Sequence, residues 1–140
     1  MSDTDLFKLY SQQILALAAD IPHAEPLPVF DGRARERAPL CGSTVEVTLR
    51  RDGGRIADFG QQVQACALGQ ASASIFGAQA IGRNRDEVAR LCDELAAMLS
   101  GGPVPEAPFD GYAVLQAARA YPNRHASILL APRATLAAMT

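Results

Sequence analysis

The sequence predicts an α+β fold in which a three-stranded antiparallel sheet packs against helices. Alternation of apolar and polar residues places Val45, Val47 and Leu49 on one face of a strand. After Cys66 the apolar residues take on helical spacing instead. Strands followed by helices are typical of a sheet that has helices covering one face. A chain of 140 residues is the size of one domain, so we expect residues 1–140 to fold as a single unit.

The composition is that of a folded protein with no general nucleic-acid or membrane partner. Hydrophobic residues make up 49% of the chain, and the formal net charge of -2 argues against a nucleic-acid binder. The sequence contains no apolar run long enough for a membrane span and no basic signal-peptide start, which predicts a cytoplasmic protein. Three cysteines without a CxxC pair indicate reduced thiols rather than a disulfide framework or a zinc ribbon.

The first half of the chain is predicted to contain one helix and the whole sheet. Apolar spacing indicates an amphipathic helix over 5–19, capped by Thr4 or Asp3. A proline-rich connector over 21–32 follows, because proline disfavours both helix and sheet. The sheet elements are then an edge strand over 33–38, a strand from residue 44, a hairpin turn at Asp52 and Gly53, and a third strand over 56–63.

The second half is predicted to be helical. Small residues after Cys66 indicate a helix that packs closely on its neighbour. Asn84 and Glu87 form a capping-box pattern, which opens a helix with Cys92 on its apolar stripe and therefore in the core. Two more helices are expected, one capped by Asp110 and one over 127–139 that is disturbed at Pro132.

Cys41 and Cys66 are the candidate reactive residues. Cys41 lies in a loop before a strand, and Cys66 lies where a strand gives way to a helix, whose N-terminal dipole favours the thiolate. One hairpin separates the two thiols, so both can end at the same edge of the sheet. The alternative is packing, because buried cysteine is a common small hydrophobe. His23 and His125 are candidate nitrogen ligands, although most lone histidines are surface or hydrogen-bonded residues.

No enzyme motif accompanies these residues. The sequence has no GxxxxGK phosphate loop, no GxSxG elbow and no evident pair of catalytic carboxylates. We therefore predict no catalytic residue. The arginines of the RARER segment are typical of a charged edge that prevents sheet aggregation, with docking of an acidic partner as the alternative.

Four segments together resemble the NifU-like (IscU/SufU-type) iron-sulfur cluster scaffold family. They are CGS before the hairpin, QACALGQASAS at the start of a helix, GRNRDE, and AYPNRHASIL near the C-terminus. The similarity covers residues 6–137. It implies a single NifU-like N-terminal-type scaffold domain with SufE/NifU-like architecture and a soft-ligand site for an iron-sulfur cluster or zinc.

The resemblance also implies which residues form that site. Cys41 matches the first ligand of the family and Cys66 the second, while Ser43 stands where an aspartate is expected. The third family cysteine falls on Ser127, which we prefer, or on Ala126 in another register, and either register leaves the thiol missing. A serine hydroxyl is far less acidic than a thiol and is a poor ligand for soft metals.

The function implied is that of an iron-sulfur cluster assembly scaffold and not of an enzyme. It would hold iron or a cluster at Cys41 and Cys66, with His125 and the hydroxyls of Ser43 and Ser127 as further metal ligands, and pass the cargo on. The partners implied are a cysteine desulfurase and apo iron-sulfur proteins, and a homodimer that shares one cluster. Two alternatives stay open, namely a zinc-binding sulfur-transfer accessory and a degenerate scaffold-fold module that acts by protein interaction alone.

Overall fold

The computed structural model describes residues 11–140. Helix α1 spans Gln12–Ala19 and begins after Ser11, whose hydroxyl accepts a hydrogen bond from the Ile14 N–H at 3.3 Å. The earlier part of the predicted helix over 5–19, and its caps Thr4 or Asp3, lie outside the described residues. Within residues 11–140 no helix combines the length and apolar character that crossing a membrane requires.

The predicted α+β class with a three-stranded antiparallel sheet is confirmed. The strands are β1 (Gly32–Arg37), β2 (Thr44–Asp52) and β3 (Arg55–Gln64), in the order β1-β2-β3. The alternation in β2 has the predicted effect, because one set of side chains is fully buried beneath the helices. That set consists of Val45, Val47 and Leu49.

The hairpin between β2 and β3 turns one residue later than predicted. Asp52 still belongs to β2, and the two turn residues are Gly53 and Gly54. Their φ angles are 61° and 79°, the left-handed values that two-residue hairpins require and that glycine adopts without a Cβ penalty. The Asp-Gly pattern therefore predicted the turn one residue too early, and Gly54 is its second residue.

The helices pack together on one face of the sheet. They are α2 (Ala67–Gly77), α3 (Arg85–Leu99) and α4 (His125–Ala138). Two 3₁₀ segments, Asp110–Ala120 and Pro122–Arg124, lie between α3 and α4. Helix α4 lies against β1 and β2 and contacts both α2 and α3. Helix α4 therefore joins two strands of the sheet to the other helices, and α2 also contacts β3.

The predicted capping box is present at the start of α3. The Asn84 side chain accepts from the Glu87 N–H at 2.8 Å, and the Glu87 carboxylate accepts from the Asn84 N–H at 3.1 Å. The predicted helix after residue 109 is a 3₁₀ segment, and Asp110 lies in its first turn while Phe109 takes the capping position. The prediction that Asp110 caps a helix was therefore wrong.

Helix α4 begins at His125 and continues unbroken through Pro132, so the disturbance predicted there does not occur. Proline lacks an N–H and leaves the carbonyl four residues earlier, that of Ile128, without its helical donor. The Ser72 hydroxyl on α2 donates to this carbonyl at 2.5 Å, and both residues are fully buried. A side chain from the neighbouring helix thus replaces the missing backbone hydrogen bond.

Candidate functional site

A tight loop between β1 and β2 presents Cys41 to solvent. The Ala38 N–H donates to the Ser43 carbonyl at 2.8 Å, and the Gly42 N–H donates back to the Ala38 carbonyl at 3.0 Å. Gly42 has a φ of 72°, which favours glycine and lets the chain reverse. Cys41 is exposed as a result.

Cys66 is the N-cap residue of α2, as the change from strand to helix predicted. Its backbone is extended, with φ -66° and ψ 170°, and its side chain makes no capping hydrogen bond. The sulfur instead lies 3.4 Å from the hydroxyl oxygen of Ser127 on α4. Cys66 is half-buried, so its thiol faces the junction of α2 and α4 rather than open solvent.

Two serines connect the two thiols through one chain of hydrogen bonds. The Cys41 thiol donates to the Ser43 hydroxyl oxygen at 3.0 Å, and the Ser127 hydroxyl donates to the same oxygen at 3.3 Å. Ser127 also contacts Cys66, which completes the chain. We call Ser43 and Ser127 the serine bridge. Both are buried, with 6% and 1% of their surface exposed, so water does not separate them.

Glycine at position 69 leaves room for this bridge. A Cβ on Gly69 would lie 2.5 Å from the Ser127 hydroxyl oxygen and 2.8 Å from the Ala65 Cβ. Helices α2 and α4 therefore approach closely where Cys66 and Ser127 meet. The small residues after Cys66 thus act on the site, because they set this distance between the helices.

The two thiols line a single cavity of about 220 Å³. Leu40 at its rim is 80% exposed, an unusual state for a large apolar side chain. The structure brings Ser127, rather than its neighbour Ala126, to this cavity. The lining residues are Leu40, Cys41, Cys66, Asn123, Arg124 and Ser127.

The surroundings of the cysteines separate a reactive thiol from an inert one. When Cys41 is ionised, the Ser43 hydroxyl rotates to donate to the thiolate; this hydrogen bond is the largest cause of the lowered pKa of Cys41, and a backbone hydrogen bond from Ser43 adds to it. Cys92 lies on the buried side of α3, where burial raises its pKa to about 11. The predicted core position of Cys92 is confirmed. Only the thiolate is a strong nucleophile and soft-metal ligand. Cys41 is therefore better suited than Cys92 to attack sulfur or to bind a soft metal.

Neither histidine lies in the cavity with the cysteines. The His125 Nε2–H donates to the Ala118 carbonyl at 2.8 Å, and the ring lines a different cavity beside Leu99 and Pro122. His23 lies on the connector and meets the Phe59 ring edge-on at 6.1 Å. Of the predicted site residues, the structure therefore brings together Cys41, Cys66, Ser43 and Ser127, and leaves His125 apart.

The side chains at the site are fewer than a resident zinc ion requires. Structural zinc takes four protein ligands and catalytic zinc three, drawn from cysteine, histidine and carboxylates. Residues 11–140 contain no group of three such side chains that is able to hold one ion. The described residues of one chain therefore do not supply the three or four ligands of a resident zinc site.

Comparison with known proteins identifies the family. No family model matches the chain, and no curated protein matches it. The crystal structure of a nitrogen-fixing NifU-like protein (N-terminal) from Brucella abortus is 36% identical, with a TM-score of 0.92, over 96% of this chain and 94% of that one. The chain belongs to the NifU-like family. The predicted resemblance is confirmed.

Two further solved structures share the NifU-like fold of this chain. One is a putative iron-sulfur cluster assembly scaffold protein for the SUF system from the thermophile Fervidobacterium islandicum AW-1, with 21% identity and a TM-score of 0.83 over 96% of this chain and 98% of that one. The other is a hypothetical protein with 25% identity and a TM-score of 0.81 over 95% and 98% of the two chains.

Sequence reasoning missed two residues of this NifU-like site, Leu40 and Asn123, which line the cavity. The close approach at Gly69 agrees with the prediction that the small residues after Cys66 form a helix that packs closely on its neighbour. No sequence pattern pointed to Leu40, because only the loop conformation exposes it.

Proposed function

We propose that this NifU-like chain acts in iron-sulfur cluster assembly, taking iron or a cluster as cargo at Cys41 and Cys66 and releasing it to acceptor proteins. The observation that carries the proposal is the pair of thiols on one cavity, joined by the serine bridge. Family membership and the name of the Fervidobacterium protein, a putative cluster assembly scaffold, support it. The role is that of a scaffold, and no catalytic residue is needed for it.

The number of thiols suggests how the cargo is held. A [2Fe–2S] cluster takes four thiolate ligands, and one chain offers two at this cavity. Hydroxyls are poor ligands for iron in a sulfur environment, so the serine bridge does not supply the missing pair. We therefore propose that two chains meet at the cavity lined by Cys41 and Cys66 and share one cluster, with Leu40 contributing apolar contact beside each Cys41.

The proposed partners follow from the same chemistry. The sulfur of the cluster needs a persulfide donor such as a cysteine desulfurase and a two-electron reductant that brings this sulfur to sulfide, and the assembled cluster needs an apo iron-sulfur protein as acceptor. The three free cysteines suit the reducing cytoplasm, where we propose that the protein works as a single domain.

Sulfur transfer is the second candidate function, and the exposure and lowered pKa of Cys41 favour it. In this step the Cys41 thiolate attacks the outer sulfur of a donor persulfide. A new S–S bond forms at Cys41 while the donor S–S bond breaks, and the donor leaves as a thiolate. The step requires no zinc, in keeping with the donor set.

Anaerobic reconstitution with iron and sulfide tests the scaffold proposal. Iron, labile sulfide and the visible spectrum are measured for the wild-type protein and for Cys41→Ala and Cys66→Ala. The matched control is Cys92→Ala, which removes a thiol from the core of α3 rather than from the site. We expect both site variants to lose the visible absorption and the control to keep it.

The remaining outcomes separate the candidates. Wild-type protein that gains no labile sulfide in the reconstitution, but takes a sulfur atom onto Cys41 when it is incubated separately with a small-molecule persulfide as donor, supports sulfur transfer. A folded protein that takes neither iron nor sulfur contradicts both functions and favours an interaction module. Equal cluster loading in all three variants contradicts the assignment of the site to Cys41 and Cys66.

A further inference from the structure

Strand β1 forms one edge of the sheet, and its outer backbone groups face away from β2. The sheet order β1-β2-β3 gives β1 a single strand neighbour in the described chain. The hydrogen bond from the Ala38 N–H to the Ser43 carbonyl continues the β1–β2 register. Paired positions recur at every second residue of antiparallel strands. The backbone groups of Arg33, Arg35 and Arg37 therefore point outward.

These three residues also direct arginine side chains to one face. All are exposed, because they alternate with the inward side chains of β1. Arg33 pairs with Glu46 at 2.6 Å while 61% of its side chain stays exposed. Within residues 11–140, Arg35 and Arg37 have no ion-pair partner. We call Arg33, Arg35 and Arg37 the arginine edge.

We infer that the arginine edge docks an extended acidic segment of a partner protein, which adds to the sheet as a fourth, antiparallel strand. Strand addition uses backbone hydrogen bonds for affinity and alternate side chains for specificity. Residues directly opposite each other in antiparallel strands share a face. Alternate residues recur at about 7 Å along a strand, so a docked segment with a carboxylate at every second residue sets one carboxylate against each arginine.

Charge repulsion argues against a second copy of β1 as the strand that pairs with this edge. Antiparallel pairing of two such edges sets arginine against arginine, and like charges directly opposite are destabilising. Nucleic acid also contacts arginine, but it does not pair with the N–H and C=O groups of an edge strand as a peptide does. The net charge of -2 gives the chain no general attraction for phosphates.

The position of the edge relates it to the cysteine site. β1 ends at Arg37, and Cys41 follows in the next loop. A Cβ on Gly42 would lie 3.7 Å from the Arg37 guanidinium, so this guanidinium lies close to the loop that carries Cys41. A docked strand would thus end beside Cys41. Docking does not require that Cys41 or Cys66 bind iron, so it can be tested separately from the proposed function.

The test is a titration of ¹⁵N-labelled protein followed by NMR. The probe is a synthetic nine-residue peptide of alternating glutamate and valine, added to millimolar concentration. We expect the backbone amide signals of Arg33, Arg35 and Arg37 to shift. Arg35→Glu should weaken binding about fivefold or more, since it replaces an attractive cross-strand pair by a repulsive one. Arg90→Glu, the same change of charge on the exposed side of α3, should not weaken it.

Three further probes decide the mode of binding. A peptide with N-methylglutamate at its centre keeps the charge but lacks one N–H donor, so weaker binding supports strand pairing and equal binding overturns it. A lysine–valine peptide should not bind. A single-stranded DNA 12-mer that shifts the same signals with the same Arg35 dependence overturns the peptide assignment. Absence of any shift with the glutamate peptide also overturns it, and circular dichroism verifies that each variant is folded.

Discussion

Ser72→Ala tests how helix α4 tolerates Pro132. This helix also carries Ser127, which faces Cys66. Ser72 is fully buried, and its hydroxyl is 2.5 Å from the Ile128 carbonyl, one residue beyond Ser127. The substitution leaves that carbonyl without the donor that replaced the missing proline N–H. A buried polar group without a partner costs about 1 to 3 kcal/mol, so we expect the free energy of unfolding to fall by about 2 kcal/mol.

The decisive measurement repeats Ser72→Ala in a Pro132→Ala background. Residue 132 then has an N–H that donates to Ile128, so the carbonyl keeps a partner when the serine is removed. We expect the cost of Ser72→Ala to fall to about 1 kcal/mol or less, the net value of one hydrogen bond.

Urea unfolding followed by circular dichroism gives the four stabilities of this cycle, with thiols kept reduced. A coupling of about 1 kcal/mol between the two positions supports the reasoning. An equal cost of Ser72→Ala in both backgrounds, within about 0.5 kcal/mol, refutes it.

Three more predictions concern the thiols. Ser43→Ala removes the main cause of the lowered Cys41 pKa. Because thiolate reactivity falls as the pH drops through this pKa, the pH profile of Cys41 alkylation by iodoacetamide should move to higher pH in the variant. An unchanged profile would show that Ser43 does not activate the thiol. Cys92, with a pKa of about 11, should be alkylated at neutral pH only after unfolding in urea, and labelling of the native protein at the rate of Cys41 would disprove its burial. Ser127→Cys adds a third thiol beside Cys66 and should increase the iron retained after desalting, while unchanged retention would count against a site at this cavity.

Much of the fold was predictable because its signals are local. The alternation of Val45 and Val47 and the capping pair of Asn84 and Glu87 each fix a conformation within a few residues, and both predictions are confirmed. Pro132 shows the limit of such reasoning. Its effect on α4 depends on Ser72, a residue of another helix that becomes its neighbour only in the folded chain.

The site was predictable in its residue types but not in its connections. The family pattern pointed to Cys41, Cys66, Ser43 and Ser127, and the structure brings these four together. No local signal shows that two serines link the thiols, because the contact joins a loop to the last helix. The same long-range geometry turns His125 toward the Ala118 carbonyl and away from the cysteines.

Native mass spectrometry of the anaerobically reconstituted protein tests the central proposal most directly, because it reports the mass of the cargo and the number of chains that hold it. Two site thiols in each chain predict one [2Fe–2S] cluster shared by two chains. This species should disappear in Cys41→Ala and in Cys66→Ala and persist in Cys92→Ala. A cluster held by one chain alone, or a two-chain species that survives the loss of Cys41, would contradict the proposal.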